Sequence, residues 1–298
     1  MIADNELKTA TPASLTNLAS RVPEISNSGL NPARPAKVMN QLGEVSMTQA
    51  AVELPLTIKV ADQEIVTLMT LGTVPEKLVL GYLRNQRLID NLDDILSVNV
   101  DWDREIADVV LRADAQIGDL QADTRHKIVT TGCGQGTIYS CSLDKLYDNR
   151  LPTTTIRQSE IYSALSTVAQ VNTIYRQTGS VHGCALFGDG DLHCFVEDVG
   201  RHNAMDAISG DMWLGNVGGS RHLFYTTGRL TSEIVMKAAM MNIPVLVSRN
   251  GVTFMAIELA EDLGVMLVAR AKSRHFEVFS CHDQLVLDAI PVGKRTNN

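Results

Sequence analysis

The chain has 298 residues, a formal net charge of −8, 45% hydrophobic residues and 20% charged residues. These values are ordinary for a soluble globular protein, and the length suggests about two domains. A negative net charge does not favour broad electrostatic binding to nucleic acid or to an anionic membrane. Apolar runs stay well short of the roughly 18 residues of a membrane span, and the first residues lack the features of a secretory signal. We therefore expect a cytoplasmic protein with no nucleic-acid or membrane partner.

The first half of the sequence predicts a leader followed by a small α+β domain. Residues 1–44 are rich in Asn, Ser, Thr, Ala and Pro without an apolar period, which predicts a mobile leader and ordered structure from near Val52. Residues 45–128 contain two strands with a turn between them, a helix that Pro75 opens, and a further strand pair. Their pattern predicts an N-terminal α+β domain.

The second half predicts a larger α/β domain. Residues 129–157 form a glycine-flanked cysteine loop and a polar linker, and residues 286–298 form a tail. Between them, residues 158–285 begin with a helix that Ser159 caps and Gly179 ends. A hairpin and then strands alternating with helices follow, which favours parallel pairing with crossover helices. We expect a three-layer α/β/α domain.

Four loops of this domain follow strands and carry unusual polar residues. They are EDVGRHNAMD, TGRLTSE, VSRNGVT and RAKSRH, which occupy residues 197–206, 227–233, 247–253 and 270–275. Each loop by itself is also explained as a helix cap or a solvated basic turn. Because ligands of open α/β sheets bind beyond the carboxyl ends of the strands, we expect the loops to meet at one edge. Arg201, Arg229, Lys272 and Arg274 would then suit a phosphorylated ligand.

The stretch TTGCGQGTIYSC, residues 130–141, places Cys133 among glycines. The spacing lacks the full dinucleotide fingerprint, so that interpretation is weak. A zinc site would need distant ligands such as His126, and a Cys–His hydrolase would need His182 or His202 as its base. A glycine-flanked thiol that carries a persulfide also fits, because thiolate reactivity rises beside positive charge. The five cysteines are odd in number and irregularly spaced, which argues against a disulfide framework.

Several of these segments together resemble the formate dehydrogenase accessory sulfurtransferases, the FdhD family. The segments are EDVGRHNAMD, TTGRLTSEIVMKAA, IPVLVSRNGVT, VHGCALF and an N-terminal stretch from ELPLTIKV onward, and the resemblance covers roughly residues 45–285. It implies a C-terminal domain similar to the cytidine deaminase fold, and a homodimer.

The resemblance also implies a reaction and a set of site residues. Family members take a persulfide sulfur from a cysteine desulfurase and pass it to the molybdenum cofactor, as bis-molybdopterin guanine dinucleotide, for formate dehydrogenase. The persulfide cysteine corresponds to Cys133, and a guanine nucleotide is expected to mimic the cofactor. The cofactor-binding residues implied are Arg229, His202 and the turn Arg270, Ala271, Lys272, Ser273, Arg274 and His275.

The sequence departs from the family at the cysteine loop. Members commonly have Cys-Gly-x-Cys, whereas this chain has Gly136 at the second cysteine position, with Cys141 further along. A lone cysteine can carry a persulfide but cannot resolve it as an internal disulfide. The alternative function is therefore a non-catalytic chaperone that binds the molybdenum cofactor. The zinc ligand set of the deaminases is also missing, so we expect no metal in the protein, and a zinc hydrolase is the third and weakest hypothesis.

Overall fold

The structure is a computed structural model that describes residues 22–113, 115 and 150–289, and the backbone of 128–129. None of the helices in these residues is long and apolar enough to cross a membrane. Numbered along the chain, the strands are β1 (Glu24–Ile25), β2 (Ala33–Met39), β3 (Val45–Ala51), β4 (Leu54–Val60), β5 (Gln63–Thr70), β6 (Ile95–Asp101), β7 (Ile106–Leu111), β8 (Ile128–Val129), β9 (Ile156–Arg157), β10 (His182–Gly188), β11 (Asp191–Asp198), β12 (His222–Thr226), β13 (Val245–Ser248), β14 (Met266–Lys272), β15 (His275–Val278) and β16 (Leu285–Val286). The helices are α1 (Pro75–Asn85), α2 (Gln158–Val171), α3 (Thr173–Thr178), α4 (Arg201–Leu214), α5 (Ser232–Met240) and α6 (Phe254–Leu263).

The N-terminal sheet has the strand order β1-β6-β7-β4-β5-β8. Its inward side chains alternate along β4, where Leu56, Ile58 and Val60 are buried, as expected for a strand with one face on a core. Helix α1 begins at Pro75, as the sequence predicts, and buries Leu80 and other apolar side chains against this sheet.

The C-terminal sheet has the strand order β11-β10-β12-β13-β14-β15, with β12, β13 and β14 parallel. Helix α2 packs on one face, against side chains such as Tyr225 and Val247. Helices α4, α5 and α6 pack on the other face, against Phe224 and Leu246. The predicted mixed α/β class is therefore confirmed, whereas the likeness to the cytidine deaminase fold and the predicted domain limits stay predictions.

Helix α4 is shared by the two halves of the molecule. Its Met205 and Ile208 lie in the core of the C-terminal sheet, while Ala207 lies in the core of the N-terminal sheet. The helix is therefore buried on both sides, which explains why its apolar residues do not form a single stripe. Gly210 of α4 and Gly81 of α1 allow the two helix backbones to cross closely, because a Cβ on either glycine would overlap a backbone carbonyl group of the other helix.

Replacing Gly81 by alanine is expected to lower the free energy of unfolding by about 3 kcal/mol or more, because two rigid backbones must separate. Equilibrium urea denaturation of the full chain measures this change. Gly218→Ala is the matched control, since a Cβ there meets nothing within 4 Å. Equal stability of the two variants would contradict the close helix crossing.

Two predictions about chain segments are wrong. Ordered structure begins well before Val52, because β1 pairs with β6 and a β2–β3 hairpin precedes that residue. The sequence does not reveal this hairpin, because both of its strands are largely exposed and so lack apolar alternation.

The helix predicted from Ser159 to Gly179 is divided at Asn172, and Ser159 donates its hydroxyl to Asp288 instead of capping the helix. Gly179 does end the second part, with a left-handed backbone.

Candidate functional site

The four polar loops meet at one edge of the C-terminal sheet. Thr226 is paired with Ser248 at the carboxyl ends of β12 and β13, and β14 ends at Lys272 on the same side. Because β10 and β11 are antiparallel to each other and β10 to β12, the start of β10 at His182 and the end of β11 at Asp198 also lie there. The shared edge follows from strand direction alone, as the sequence predicts.

Two adjoining pockets open at this edge on the side of α2 and α3. One has a volume of about 480 Å³, and its lining includes His182, Arg249, Asn250 and Lys272. The other has a volume of about 310 Å³ and shares Thr227, Arg249 and Lys272 with the first. Its walls also carry aromatic side chains, from Phe195 and Tyr225, and the Asn172 amide. The first pocket is therefore basic and polar, and the second offers flat apolar surfaces, a combination common in small-molecule sites.

Asn250 joins three of the loops. Its side-chain amide donates to the Thr227 carbonyl at 2.7 Å, and its own carbonyl accepts the backbone N–H of Arg270 at 2.9 Å. Its backbone N–H donates to the hydroxyl of Ser248. Neither Asn250 nor Arg249 is among the site residues predicted from the sequence. The signal that could have found them is their position immediately after β13, within the loop VSRNGVT.

Only the middle part of the predicted cofactor-binding turn, residues 270–275, lines the pockets. Ala271, Lys272 and Ser273 line the pockets, with Ala271 buried beneath them. Arg270 instead forms an exposed ion pair with Glu277, at 3.0 Å between Nη1 and Oε2, and stacks over Phe279. Arg274 and His275 are exposed and are not among the residues that line the two pockets. The separation arises because a bulge between Ala269 and Lys272 changes the strand register.

His202 lies on the other side of the sheet edge, near the start of α4. Its Nδ1 is 3.2 Å from Oε1 of Glu233, although neither ring nitrogen has a well-aligned hydrogen-bond partner among the described residues. Burial first, and then the charges of Lys237 and Arg201, lower the pKa of His202 to about 2. The imidazole is therefore neutral at physiological pH, so it acts as a dipole and not as a cation. The other residue predicted with it, Arg229, is exposed in the loop after β12.

The acidic residues at the end of β11 support structure. Asp198 is buried and accepts hydrogen bonds from the hydroxyl of Thr70, the backbone N–H groups of Leu71 and Gly200, and the amide of Asn203. Burial raises the pKa of Asp198, and these four donors oppose that rise. Glu197 accepts two backbone N–H groups at the start of α3. Asp198 therefore holds the end of β5 against the edge of the C-terminal sheet through hydrogen bonds, and neither of its carboxylate oxygens is free for a ligand.

Cys133, the predicted persulfide carrier, and Cys141 lie outside the described residues. Val129, at the end of β8, is the last described residue before Cys133 and is paired with Leu68 of β5. Two residues further along β5, Thr70 contacts Asp198 at the candidate site, with 2.6 Å between the oxygens. The chain therefore leaves the described region beside this site.

The described cysteines are poor candidates for a nucleophile. Burial raises the pKa of Cys184 and of Cys194 to about 12 and that of Cys281 to about 11. A thiol with so high a pKa contains almost no thiolate at neutral pH. Within residues 22–113 and 150–289, no group of three or more His, Cys, Asp or Glu side chains is arranged to hold a metal ion.

The fold and the site together define a mixed α/β protein with a basic pocket at the carboxyl edge of its second sheet. Residues 51–286 match the sequence profile of the FdhD/NarQ family. The chain therefore belongs to that family, which confirms the resemblance described above.

Two relatives and a solved structure support the same assignment. The chain is 30% identical over 244 residues to the sulfur carrier protein FdhD of a Staphylococcus aureus strain, covering 81% of this chain and 90% of the relative. It is 28% identical over 256 residues to that of Sulfurisphaera tokodaii, covering 84% and 96%. The crystal structure of a formate dehydrogenase accessory protein from Desulfotalea psychrophila superposes with a TM-score of 0.68 at 26% identity, covering 85% of this chain and 98% of that one.

Proposed function

We propose that this chain is a sulfurtransferase that carries sulfur as a persulfide on Cys133 for the maturation of a formate dehydrogenase. In this scheme a cysteine desulfurase supplies the sulfur, and the acceptor is the molybdenum cofactor in its bis-molybdopterin guanine dinucleotide form. The cofactor is here a bound substrate, and the chain acts as a homodimer, as the family resemblance implies. The sequence similarity to proteins named sulfur carrier protein supports sulfur transfer as the activity.

The observation that carries the proposal is the position of the basic pockets beside the point where the cysteine-bearing segment begins. Cys133 is the fourth residue after Val129, and four residue steps extend by about 14 Å at most. Val129 in turn pairs with the part of β5 that leads to Thr70 and the Asp198 contact. The last described residue before Cys133 and the two pockets therefore lie at the same edge of the molecule, which supports the proposal.

The two pockets suit the parts of a guanine dinucleotide. Arg249 and Lys272 provide positive charge for phosphate oxygens, and Asn250 provides a further polar group. In the adjoining pocket Phe195 and Tyr225 offer faces against which a flat base can stack. Burial raises the pKa of Tyr225 to about 12, so its phenol stays neutral beside a nucleotide.

Replacing Arg249 by glutamine is expected to weaken the binding of GDP by about 10- to 100-fold, the usual effect of losing a charged hydrogen bond. Isothermal titration calorimetry with GDP measures this. Arg221→Gln is the matched control, because Arg221 is an exposed arginine beyond the opposite edge of the same sheet, paired with Asp189. If both variants bind GDP like the unmodified chain, the assignment of the pockets to the cofactor fails.

A further inference from the structure

A small pocket lies at the edge of the C-terminal sheet opposite the candidate site. It has a volume of about 190 Å³ and adjoins the turn at Asp189, the start of β12 at His222 and the start of α2. This is the amino edge of the parallel strands, because β12 and β13 begin there and the antiparallel β10 ends there. Sites for drug-sized ligands have volumes of roughly 300–1,000 Å³, so this pocket suits a smaller molecule than a guanine nucleotide.

The floor of the pocket is apolar. Phe187, Leu223 and Val245 are neighbours across β10, β12 and β13, and they lie on the face of the sheet that α2 covers. Ile156 of β9 and Ala164 of α2 complete the floor. All five side chains are buried in the structure as it stands. An apolar group can therefore pack on this floor without a rearrangement of the core.

The rim of the pocket carries charges of both signs. Glu160, in the first turn of α2, provides a carboxylate, and Arg221 provides a guanidinium that is paired with Asp189. His222 also lines the pocket, and burial first, then His193, lower its pKa. This imidazole is therefore neutral at neutral pH and adds no charge. The described rim thus offers an acidic group to a cation and a guanidinium to an anion.

Both charged groups are held in place by the protein itself. One carboxylate oxygen of Glu160, Oε2, accepts the backbone N–H of Arg157 at 2.7 Å, and none of the described residues donates a hydrogen bond to the second oxygen. Nη2 of Arg221 lies 2.7 Å from Oδ1 of Asp189. A guanidinium has five N–H donors, so this pair leaves others for a ligand. Charges that are already oriented reduce the entropic cost of binding.

We propose that this pocket binds a free α-amino acid with an apolar side chain. The ammonium group of the ligand pairs with Glu160, its carboxylate pairs with Arg221, and its side chain packs on the apolar floor. A zwitterion engages both charged groups at once, whereas a simple amine or a simple carboxylate engages one of them. The site is separate from the pockets that Arg249 lines and does not involve Cys133, so it does not rest on the proposed function.

Calorimetric titration of the full chain with L-leucine tests this proposal. Isocaproate has the same branched apolar body and the carboxylate but no ammonium group, and isoamylamine has the ammonium group but no carboxylate. Each is expected to bind at least tenfold more weakly than leucine, the usual effect of losing a charged hydrogen bond. Equal affinity for the three compounds, or no binding of leucine at millimolar concentrations, would overturn the proposal.

The Glu160→Gln variant removes the acidic charge and preserves the start of α2, because glutamine at this helix position also accepts the backbone N–H that precedes the helix. Leucine is expected to bind this variant at least tenfold more weakly, with thermal unfolding unchanged. Glu258→Gln is the matched control, because Glu258 is an exposed glutamate of α6, on the other face of the sheet. Equal leucine affinity of the two variants would contradict the assigned role of Glu160.

Two arginine variants separate this site from the nucleotide pockets. Arg221→Gln is expected to weaken the binding of leucine at least tenfold and to leave the binding of GDP unchanged. Arg249→Gln is expected to show the reverse pattern, with normal affinity for leucine. A loss of leucine binding in Arg249→Gln that equals the loss in Arg221→Gln would place leucine in the nucleotide pockets and overturn the proposal.

Discussion

Replacing Cys133 by alanine is expected to abolish sulfur transfer, and with it the formate dehydrogenase activity of cells that rely on this chain. Gly136 provides no second thiol close to Cys133, and the remaining cysteine of the loop, Cys141, is tested by the control below. The described cysteines cannot replace Cys133, since burial keeps the thiols of Cys184, Cys194 and Cys281 protonated. The expected residual activity is that of cells lacking the protein, measured as formate oxidation in extracts.

Cys141→Ala is the matched control, and it is expected to leave formate dehydrogenase activity within about twofold of normal, since a single thiolate suffices to accept a sulfur. The Cys133→Ser variant separates the two functions considered above. If the chain is a sulfur carrier, Cys133→Ser abolishes formate dehydrogenase activity and leaves the affinity for GDP unchanged. A chaperone without persulfide chemistry keeps both, and that result would contradict the proposed function.

Replacing Lys237 by methionine is expected to lower the free energy of unfolding by about 3–5 kcal/mol, because it leaves a buried carboxylate without its partner. Lys237 and Asp206 are each 2% exposed, and Nζ lies 2.9 and 2.8 Å from the two carboxylate oxygens. Asp206 also accepts a hydrogen bond from Asn85 of α1 at 2.7 Å, so the pair connects the shared helix to both halves of the molecule. Urea denaturation measures the loss.

Two comparisons make this measurement specific. Lys77→Met removes a partly exposed lysine paired with Asp211 at 2.6 Å, and it is expected to cost less than about 1 kcal/mol. Adding Asp206→Asn to Lys237→Met is expected to recover much of the loss, because the unpaired charge is then gone. If Lys237→Met alone is as stable as Lys77→Met, the buried ion pair does not contribute to the free energy of unfolding, and the prediction is contradicted.

Much of the C-terminal sheet could be predicted, because the alternation of strands and helices in the sequence indicates which strands run parallel. Short apolar strands alternate with glycine-ended helices, so parallel pairing places the loops after β12, β13 and β14 at one edge, and the polar residues there identify the site. The turn from Arg270 to His275 was predicted as a unit, yet only its middle part reaches the pockets. A bulge in β14 is a matter of local register, which a residue pattern does not reveal.

Other features depend on tertiary contacts that no local pattern records. The exposed β2–β3 hairpin has no apolar period, and the crossing at Gly81 and Gly210 appears only when two distant helices are brought together. Arg249 and Arg201 look alike in sequence, since both lie in basic loops after strands. The structure separates them, because Arg249 lines an open pocket and Arg201 is buried at the start of α4.

Mass spectrometry of the Cys133 peptide, after incubation of the full chain with a cysteine desulfurase and cysteine, tests the central claim most directly. The proposed function predicts one added sulfur atom on Cys133, which a thiol reductant removes, and none on Cys184, Cys194 or Cys281. An unmodified Cys133 under conditions in which the desulfurase turns over, or sulfur found only on another cysteine, would contradict it.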